Sequence, residues 1–232
     1  MEYLAHLDRV TGAFLAEIET ADPAGRCASI RWTTTQLGAH LGGIHRWAVG
    51  SARDGKRHSR ANVPDLDVPV AAWYAESRDI LIDAFATLDP AATTFTLSSA
   101  DRTVGFWHRR QLFESLVHLW DLRSAASEDT PPPPEVPAAV NADGISELFE
   151  VFVPRATSLE PLDGVVTLQA TDTGQRWTFR RDWHRDDSAE PTATVRGSAG
   201  ELLLYAWNRA ERVERSGDLD LLARFERAHI RP

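Results

Sequence analysis

Four consecutive prolines, Pro131 to Pro134, divide this sequence into two parts with different periodicity. A proline run cannot continue a helix and forms a stiff extended segment, so it indicates a domain boundary or a rigid loop. Before the prolines, apolar residues recur at helical spacing. After them, one more helical segment gives way to the alternation that is typical of strands. We therefore place a domain boundary near the prolines and expect an α+β protein whose first part is helical.

The segments before the prolines predict four helices. They cover about residues 3–19, 33–51, 69–88 and 103–126. Thr33, followed three residues later by Gln36, has the pattern of a capping box, and Pro69 suits the first turn of a helix. Residues 93–98 form a short strand or an extended link. Four successive helices with moderate connections predict an up-down four-helix bundle.

The second part predicts a small sheet with helices. A helix over about 135–154 is followed by a hairpin of 164–170 with 176–180, a strand at 193–196, a helix from Ser198 to about Ala210 and a last helix over 219–228. The expected organisation is a bundle over 1–130, a linker and connecting helix over 131–160, and a small α+β domain over 161–232.

The composition excludes several classes of function. A net charge of −9, from 34 acidic and 25 basic residues, repels a phosphate backbone, so nucleic acid is not an expected partner. No apolar run is long enough to span a membrane, and the N-terminal segment lacks the pattern of a signal peptide. We expect a cytoplasmic protein without a membrane partner, either a monomer or a small homo-oligomer. With Cys27 as its single cysteine, the chain would have to bind a metal through histidine and carboxylate groups.

A polar row follows the fourth predicted helix, whose other positions are heavily apolar. It consists of Arg110, Glu114, His118 and Asp121. Glu114 and His118 are four residues apart and therefore project from one face of the helix. Two readings remain open: a solvated face with the ion pairs Arg110–Glu114 and His118–Asp121, or part of a metal site. For Asp121 we favour the solvent-facing pair over a role in orienting His118.

A third candidate ligand, His40, lies on the apolar stripe of the second predicted helix. Two histidines and one carboxylate, with a fourth position open, form the ligand set of a catalytic zinc site. A lone histidine on an apolar stripe is also consistent with a hydrogen-bonded core residue. His45 should face about 140° away from His40 and is not expected to share an ion with it. Trp32 and Trp47 are interpreted as packing anchors rather than as walls of a pocket.

Three ordered motifs resemble the maleylpyruvate isomerase family of mycothiol-dependent enzymes. They are the stretch from Trp32 through His40 to Trp47, the polar row of the fourth helix, and the stretch from Val195 to Arg209. The likeness extends over nearly the whole chain. It implies a DinB-like metal-binding bundle followed by a small α+β domain that resembles sterol carrier proteins.

The resemblance also implies a ligand set and a chemistry. By this likeness His40, Glu114 and His118 bind a divalent metal, for which Zn²⁺ is favoured, and the remaining coordination is left to water or a thiol. Mycothiol is the implied thiol cosubstrate, and the named activity is the cis–trans isomerisation of maleylpyruvate to fumarylpyruvate. Arg209 is the implied catalytic arginine. The residues that bind the thiol remain unassigned.

The chain departs from the family pattern at two places. Where the family usually has a Pro-Gly-Trp turn before the second helix, this chain has Ile30, Arg31 and Trp32. Asn208 stands where a glycine is expected beside the C-terminal arginine. Neither change affects a proposed ligand, but both could reshape the substrate pocket.

The expected function is that of a metal-dependent enzyme that activates a thiolate for addition to a small electrophilic substrate. Isomerases and thiol S-transferases share the first step of this chemistry. The alternative is a noncatalytic protein that binds a small molecule and has a structural or vestigial metal site. The expected partners are accordingly a small electrophile and a low-molecular-weight thiol.

Overall fold

The computed structural model describes residues 2–59, 66, 68–127, 129–209, 212–228 and 230. The chain divides within the proline run into two compact units, Met1–Pro131 and Pro132–Pro232. Each unit has its own apolar core, the first around Phe14 and Trp107 and the second around Trp177. No helix in the described part of the chain is long and apolar enough to cross a membrane.

The first unit contains four helices, which confirms the predicted bundle. They are α1 (Tyr3–Ile18), α2 (Thr34–Asp54), α3 (Val70–Thr87) and α4 (Val104–Ala125). Helix α4 packs against both α1 and α2, and α2 also packs along α3. The extended link that precedes α4 forms only an isolated bridge, between Thr93 and Thr103.

Helix α2 begins as its sequence predicts. The side chain of Thr33 accepts a hydrogen bond from the backbone N–H of Gln36, and the Gln36 side chain accepts one from the backbone N–H of Thr33. The helix continues past the predicted end at residue 51 and stops at Gly55, whose left-handed φ of 64° an L side chain rarely adopts. The cap at Thr33 fixes the start of the helix that contains His40.

Helix α4 is buried on nearly all sides. Apolar residues such as Trp107, Phe113 and Trp120 surround it, yet Arg110, Glu114, His118 and Asp121 are buried as well. Buried polar groups are costly unless they have partners. The four side chains of this polar row therefore need hydrogen-bond or charge partners inside the protein.

The second unit is an α+β fold, as predicted. Its elements are α5 (Ala138–Phe152), β1 (Val166–Ala170), β2 (Arg176–Phe179), β3 (Ala193–Gly197), α6 (Ala199–Ala206), β4 (Glu214–Gly217) and α7 (Leu219–Arg227). The strand order is β2-β1-β3-β4, with β1 and β3 parallel and the outer pairs antiparallel. The predicted hairpin of β1 and β2 is confirmed. Helix α5, which the sequence predicts as a connecting helix beside the linker, packs against α6.

Candidate metal centre

The proposed ligands come together inside the first unit. Donor atoms of His40, Glu114 and His118 all lie within 4.8 Å of one another. Oε1 of Glu114 is 3.4 Å from Nε2 of His118 and 3.7 Å from Nε2 of His40. Helix α4 brings Glu114 and His118 together by their four-residue spacing, whereas His40 depends on the packing of α2 against α4.

The two distances from the Glu114 oxygen are close to those expected around a common ion. Zinc bound by nitrogen and oxygen at about 2.0–2.1 Å in a tetrahedron places neighbouring donor atoms about 3.3 Å apart. Glu114 and His118 are buried, while the side chain of His40 is 22% exposed. The cluster therefore combines a buried side, formed by α4, with an accessible side at His40, where a further ligand could bind.

Asp121 fixes the orientation of His118. Nδ1 of His118 donates to Oδ2 of Asp121 at 2.9 Å, which leaves Nε2 with the lone pair that a metal requires. Asp121 is fully buried. The favoured interpretation of this residue as part of a solvent-facing pair is therefore wrong, because its side chain has no exposure to solvent.

Arg110 has the corresponding role for Glu114. Its Nη2 donates to Oε2 of Glu114 at 2.5 Å, so Oε1 is the oxygen left toward the two histidines. The Arg110–Glu114 ion pair that one interpretation of the sequence proposed is present, but both residues are buried. The alternative of a solvated helix face is therefore wrong.

Two carboxylates, Glu114 and Asp121, favour a positive charge at His118. Burial alone would raise the pKa of Glu114, but the Arg110 charge and the two imidazoles beside the carboxylate hold that pKa well below its usual value. Burial alone would lower the pKa of His118, but hydrogen bonding to Asp121 and the nearby Glu114 raise it. Glu114 is thus a carboxylate at neutral pH, and the carboxylates that favour a proton on His118 would also favour a metal ion there.

His45 lies outside the cluster, in agreement with its predicted direction. It is fully buried, and its Nδ1 donates to Oε1 of Gln111 on α4 at 2.7 Å. Burial lowers the pKa of His45 to about 4. Gln111 was not singled out from the sequence, although a glutamine in an apolar helical stretch indicates a buried partner.

Trp32 and Trp47 differ in their surroundings. Trp47 is a packing anchor, buried against Trp107 with its indole N–H donating to the carbonyl of His58. Trp32 is half-buried, and its ring centre lies 4.7 Å from that of His40 and 6.3 Å from that of His118. Trp32 therefore contacts the candidate centre directly.

Arg209, the fourth predicted site residue, lies in the second unit just after α6. Its Nη1 donates to the carbonyl of Trp207 at 3.0 Å, and its backbone N–H donates to the carbonyl of Leu204. The preceding Asn208 has a left-handed φ of 54°. A catalytic role for Arg209 stays a prediction.

The comparisons with known proteins agree with the resemblance. Residues 4–123 match the mycothiol maleylpyruvate isomerase N-terminal domain, and residues 139–224 match the MDMPI C-terminal domain. The structure of a mycothiol-dependent maleylpyruvate isomerase has a TM-score of 0.65 and 14% identity, with 93% of this chain and 92% of that chain covered.

A histidine-to-alanine mutant of that isomerase has the same TM-score of 0.65, with 13% identity and the same coverage. At these identities the two structures establish a common fold. Among curated proteins, none matches the chain significantly. Because the N-terminal domain match alone extends over more than half of the 232 residues, the chain belongs to the mycothiol maleylpyruvate isomerase family.

Proposed function

We propose that this protein is a metal-dependent, mycothiol-using enzyme of the maleylpyruvate cis–trans isomerase or thiol S-transferase type. The observation that carries the proposal is the cluster of two imidazole nitrogens and one carboxylate oxygen, accessible at His40, in a chain of this family. The neighbouring structures are described as mycothiol-dependent maleylpyruvate isomerases, which supports the same chemistry.

His40, Glu114 and His118 are the proposed ligands, and Zn²⁺ is the proposed metal. A divalent cation supplies a positive centre that lowers the pKa of a bound thiol or water. Asp121 holds the His118 ring with Nε2 toward the cluster, and Arg110 holds Glu114 with Oε1 toward it. The residues around the cluster thus preorganise the donor atoms before any ligand binds.

The proposed reaction begins with addition of the mycothiol thiolate to the carbon–carbon double bond of the substrate. The sulfur–carbon bond forms as the double-bond electrons move into the conjugated carbonyl, which becomes an enolate. Rotation about the resulting single bond and return of these electrons expel the thiolate and leave the trans alkene. We assign Arg209 the role of binding the substrate carboxylate or the enolate oxygen, because guanidinium groups bind such oxygens with two hydrogen bonds.

Metal analysis of the purified protein tests the ligand set. We expect a stoichiometric divalent metal in the wild type and its loss in Glu114→Ala. Glu76→Ala is the matched control, because Glu76 is an exposed glutamate on α3 that pairs with Arg46. A Glu114→Ala variant with undiminished metal content would refute the proposed site.

A second experiment separates the two enzyme classes. The zinc-loaded protein is incubated with mycothiol and either maleylpyruvate or an electrophilic probe, and the products are identified. An isomerase gives fumarylpyruvate with no net consumption of mycothiol, whereas a transferase gives a stable thioether adduct. Formation of neither product would contradict the enzymatic proposal and favour a noncatalytic binding protein.

A further inference from the structure

The Trp32 indole lies beside His40, the most exposed of the three candidate ligands. Its ring is tilted by 53° against the His40 imidazole and by 30° against that of His118. His40 is the most exposed of the three candidate ligands, and Trp32 is itself half-buried. A molecule that approached the centre beside His40 would therefore meet the indole.

The Trp32 indole N–H is available to such a molecule. Of the eight tryptophans, six donate this hydrogen to a protein group: Trp47, Trp73, Trp107, Trp120, Trp177 and Trp183. In the described part of the chain no group accepts the indole hydrogen of Trp32. Because Trp32 is only half-buried, its N–H can remain without a protein partner at little cost in free energy. A ligand can therefore accept its hydrogen bond.

The backbone around Trp32 is held firmly. The carbonyl of Trp32 accepts a hydrogen bond from the Cys27 N–H at 2.9 Å, and Thr33 caps α2 directly afterwards. The N–H of Ala28, in the same loop, donates to the Ser124 hydroxyl on α4. The loop is thus attached to both helices that supply the candidate ligands, so the indole has a defined place beside them.

We infer that Trp32 is a substrate-contact residue: its ring forms one wall for a planar unsaturated carboxylate, and its N–H donates to an anionic oxygen of that molecule. The inference rests on the proposed function for its substrate class. Aromatic rings bind flat conjugated groups through stacking, and a hydrogen bond to a charged oxygen fixes the orientation of the bound molecule.

Two variants separate the ring from its hydrogen-bond donor. Trp32→Phe keeps an aromatic wall and removes the N–H, whereas Trp32→Leu removes both. Trp73→Phe is the matched control, because Trp73 is also half-buried and donates its N–H to the backbone of Ala39. Zinc content and zinc affinity are measured for every variant, so that a change in the metal is distinguished from a change in substrate contact.

The measured quantities are the KM for maleylpyruvate, the KM for mycothiol and the Kd of the zinc-loaded protein for maleate. We expect Trp32→Phe to raise the KM for maleylpyruvate and the Kd for maleate about tenfold, which is the usual effect of losing a hydrogen bond to a charged group. Trp32→Leu should raise both values further. Zinc affinity and the KM for mycothiol should stay near the wild-type values.

The maleate measurement needs no turnover, so the two proposals can fail separately. Wild-type protein that binds maleate through Trp32 but does not isomerise maleylpyruvate would refute the proposed activity alone. Active protein whose KM and Kd are unchanged in both Trp32 variants would overturn the substrate contact alone. Loss of zinc sufficient to explain the weaker binding would also overturn it, because Trp32 would then only support the ligands.

Discussion

His118 and Glu114 each direct one polar atom toward the candidate cation and bond the other to a partner on the same helix. Asp121 holds His118, and Arg110 holds Glu114. Since the partners stand at helical spacings of three and four residues, a single helix supplies both ligands and their supports. Substitution of a supporting residue should therefore weaken metal binding even though every ligand is retained.

Asp121→Asn tests this arrangement. We expect a 10–100-fold loss of zinc affinity, because an amide accepts the Nδ1 hydrogen of His118 less strongly and does not stabilise positive charge. Competition with a chromophoric chelator measures the affinity. Asp79→Asn, at an exposed carboxylate on α3, is the control and should bind zinc as the wild type does. Equal affinities for Asp121→Asn and the control would contradict the role of Asp121.

The departures from the family pattern stand at unusual backbone positions. Arg31 has φ 58° and Asn208 has φ 54°, both in the left-handed region that favours glycine. Both residues therefore adopt a conformation that glycine would adopt more readily, at the positions where the family pattern has glycine. Asparagine tolerates this region better than arginine, so strain should be greater at Arg31.

Arg31→Gly should therefore stabilise the first unit. Glycine relieves the strain of the left-handed conformation, but it also makes the unfolded chain more flexible. The net effect should be a gain of about 0.5–1 kcal/mol in the free energy of unfolding. Urea denaturation measures the change. Arg53→Gly, in the last turn of α2, should instead destabilise by up to about 1 kcal/mol. Destabilisation by both substitutions would contradict the presence of strain at Arg31.

His45 makes stability depend on pH. Its pKa of about 4 in the folded protein lies below its ordinary value of 6.5, so the unfolded chain binds a proton more readily. The part of the folding stability that depends on a neutral His45 is fully present above pH 6.5 and is lost as the pH falls toward 4. This pKa shift corresponds to a loss of about 3 kcal/mol in the free energy of unfolding.

Urea denaturation of metal-free protein at several pH values tests this dependence. The wild type should lose more stability than His45→Gln between pH 6.5 and pH 4. Carboxylates and the other histidines titrate in both proteins, so their effects largely cancel in the difference. Identical pH profiles would show that His45 does not become protonated on unfolding.

At the level of the elements, most helices were predictable because their boundary signals are local. The capping boxes at Thr33 and Ser198 begin α2 and α6 where the sequence indicates. Strand β4 was missed because Glu214–Gly217 is exposed and polar, and its pairing with β3 gives no apolar alternation. The burial of the polar face of α4 was not predicted either, because a row of polar residues along a helix is typical of a surface helix.

Thr33→Ala tests the cap of the helix that contains His40. Loss of the capping hydroxyl should destabilise the protein by about 1 kcal/mol. His40 lies well inside α2, so we expect zinc stoichiometry to stay at the wild-type value. Chemical denaturation and metal analysis of the same preparation measure the two quantities. If Thr33→Ala lowered the zinc stoichiometry as well as the stability, the first turn of α2 would help to position His40.

At the level of the whole molecule, the candidate site depends on tertiary packing that spacing alone does not determine. Glu114 and His118 could be paired from the sequence because one helix contains both. His40 is 74 residues before Glu114, and its place beside it follows from the packing of α2 against α4. The sequence resemblance supplied this pairing, and Trp32, in the loop before α2, could not be placed near the ligands from periodicity.

Because the ligands come from two helices, zinc should stabilise the first unit as a folded body. At a free zinc concentration about 100 times Kd, a ligand that binds only the folded state adds about 2.7 kcal/mol to the free energy of unfolding. Amide hydrogen exchange should therefore slow by up to about 100-fold in the most protected segments of α2 and α4, where exchange requires unfolding. His118→Ala should show little of this slowing. Equal protection by zinc in the wild type and the variant would place the metal elsewhere, because a cation held by both helices cannot bind comparably after one of its ligands is removed.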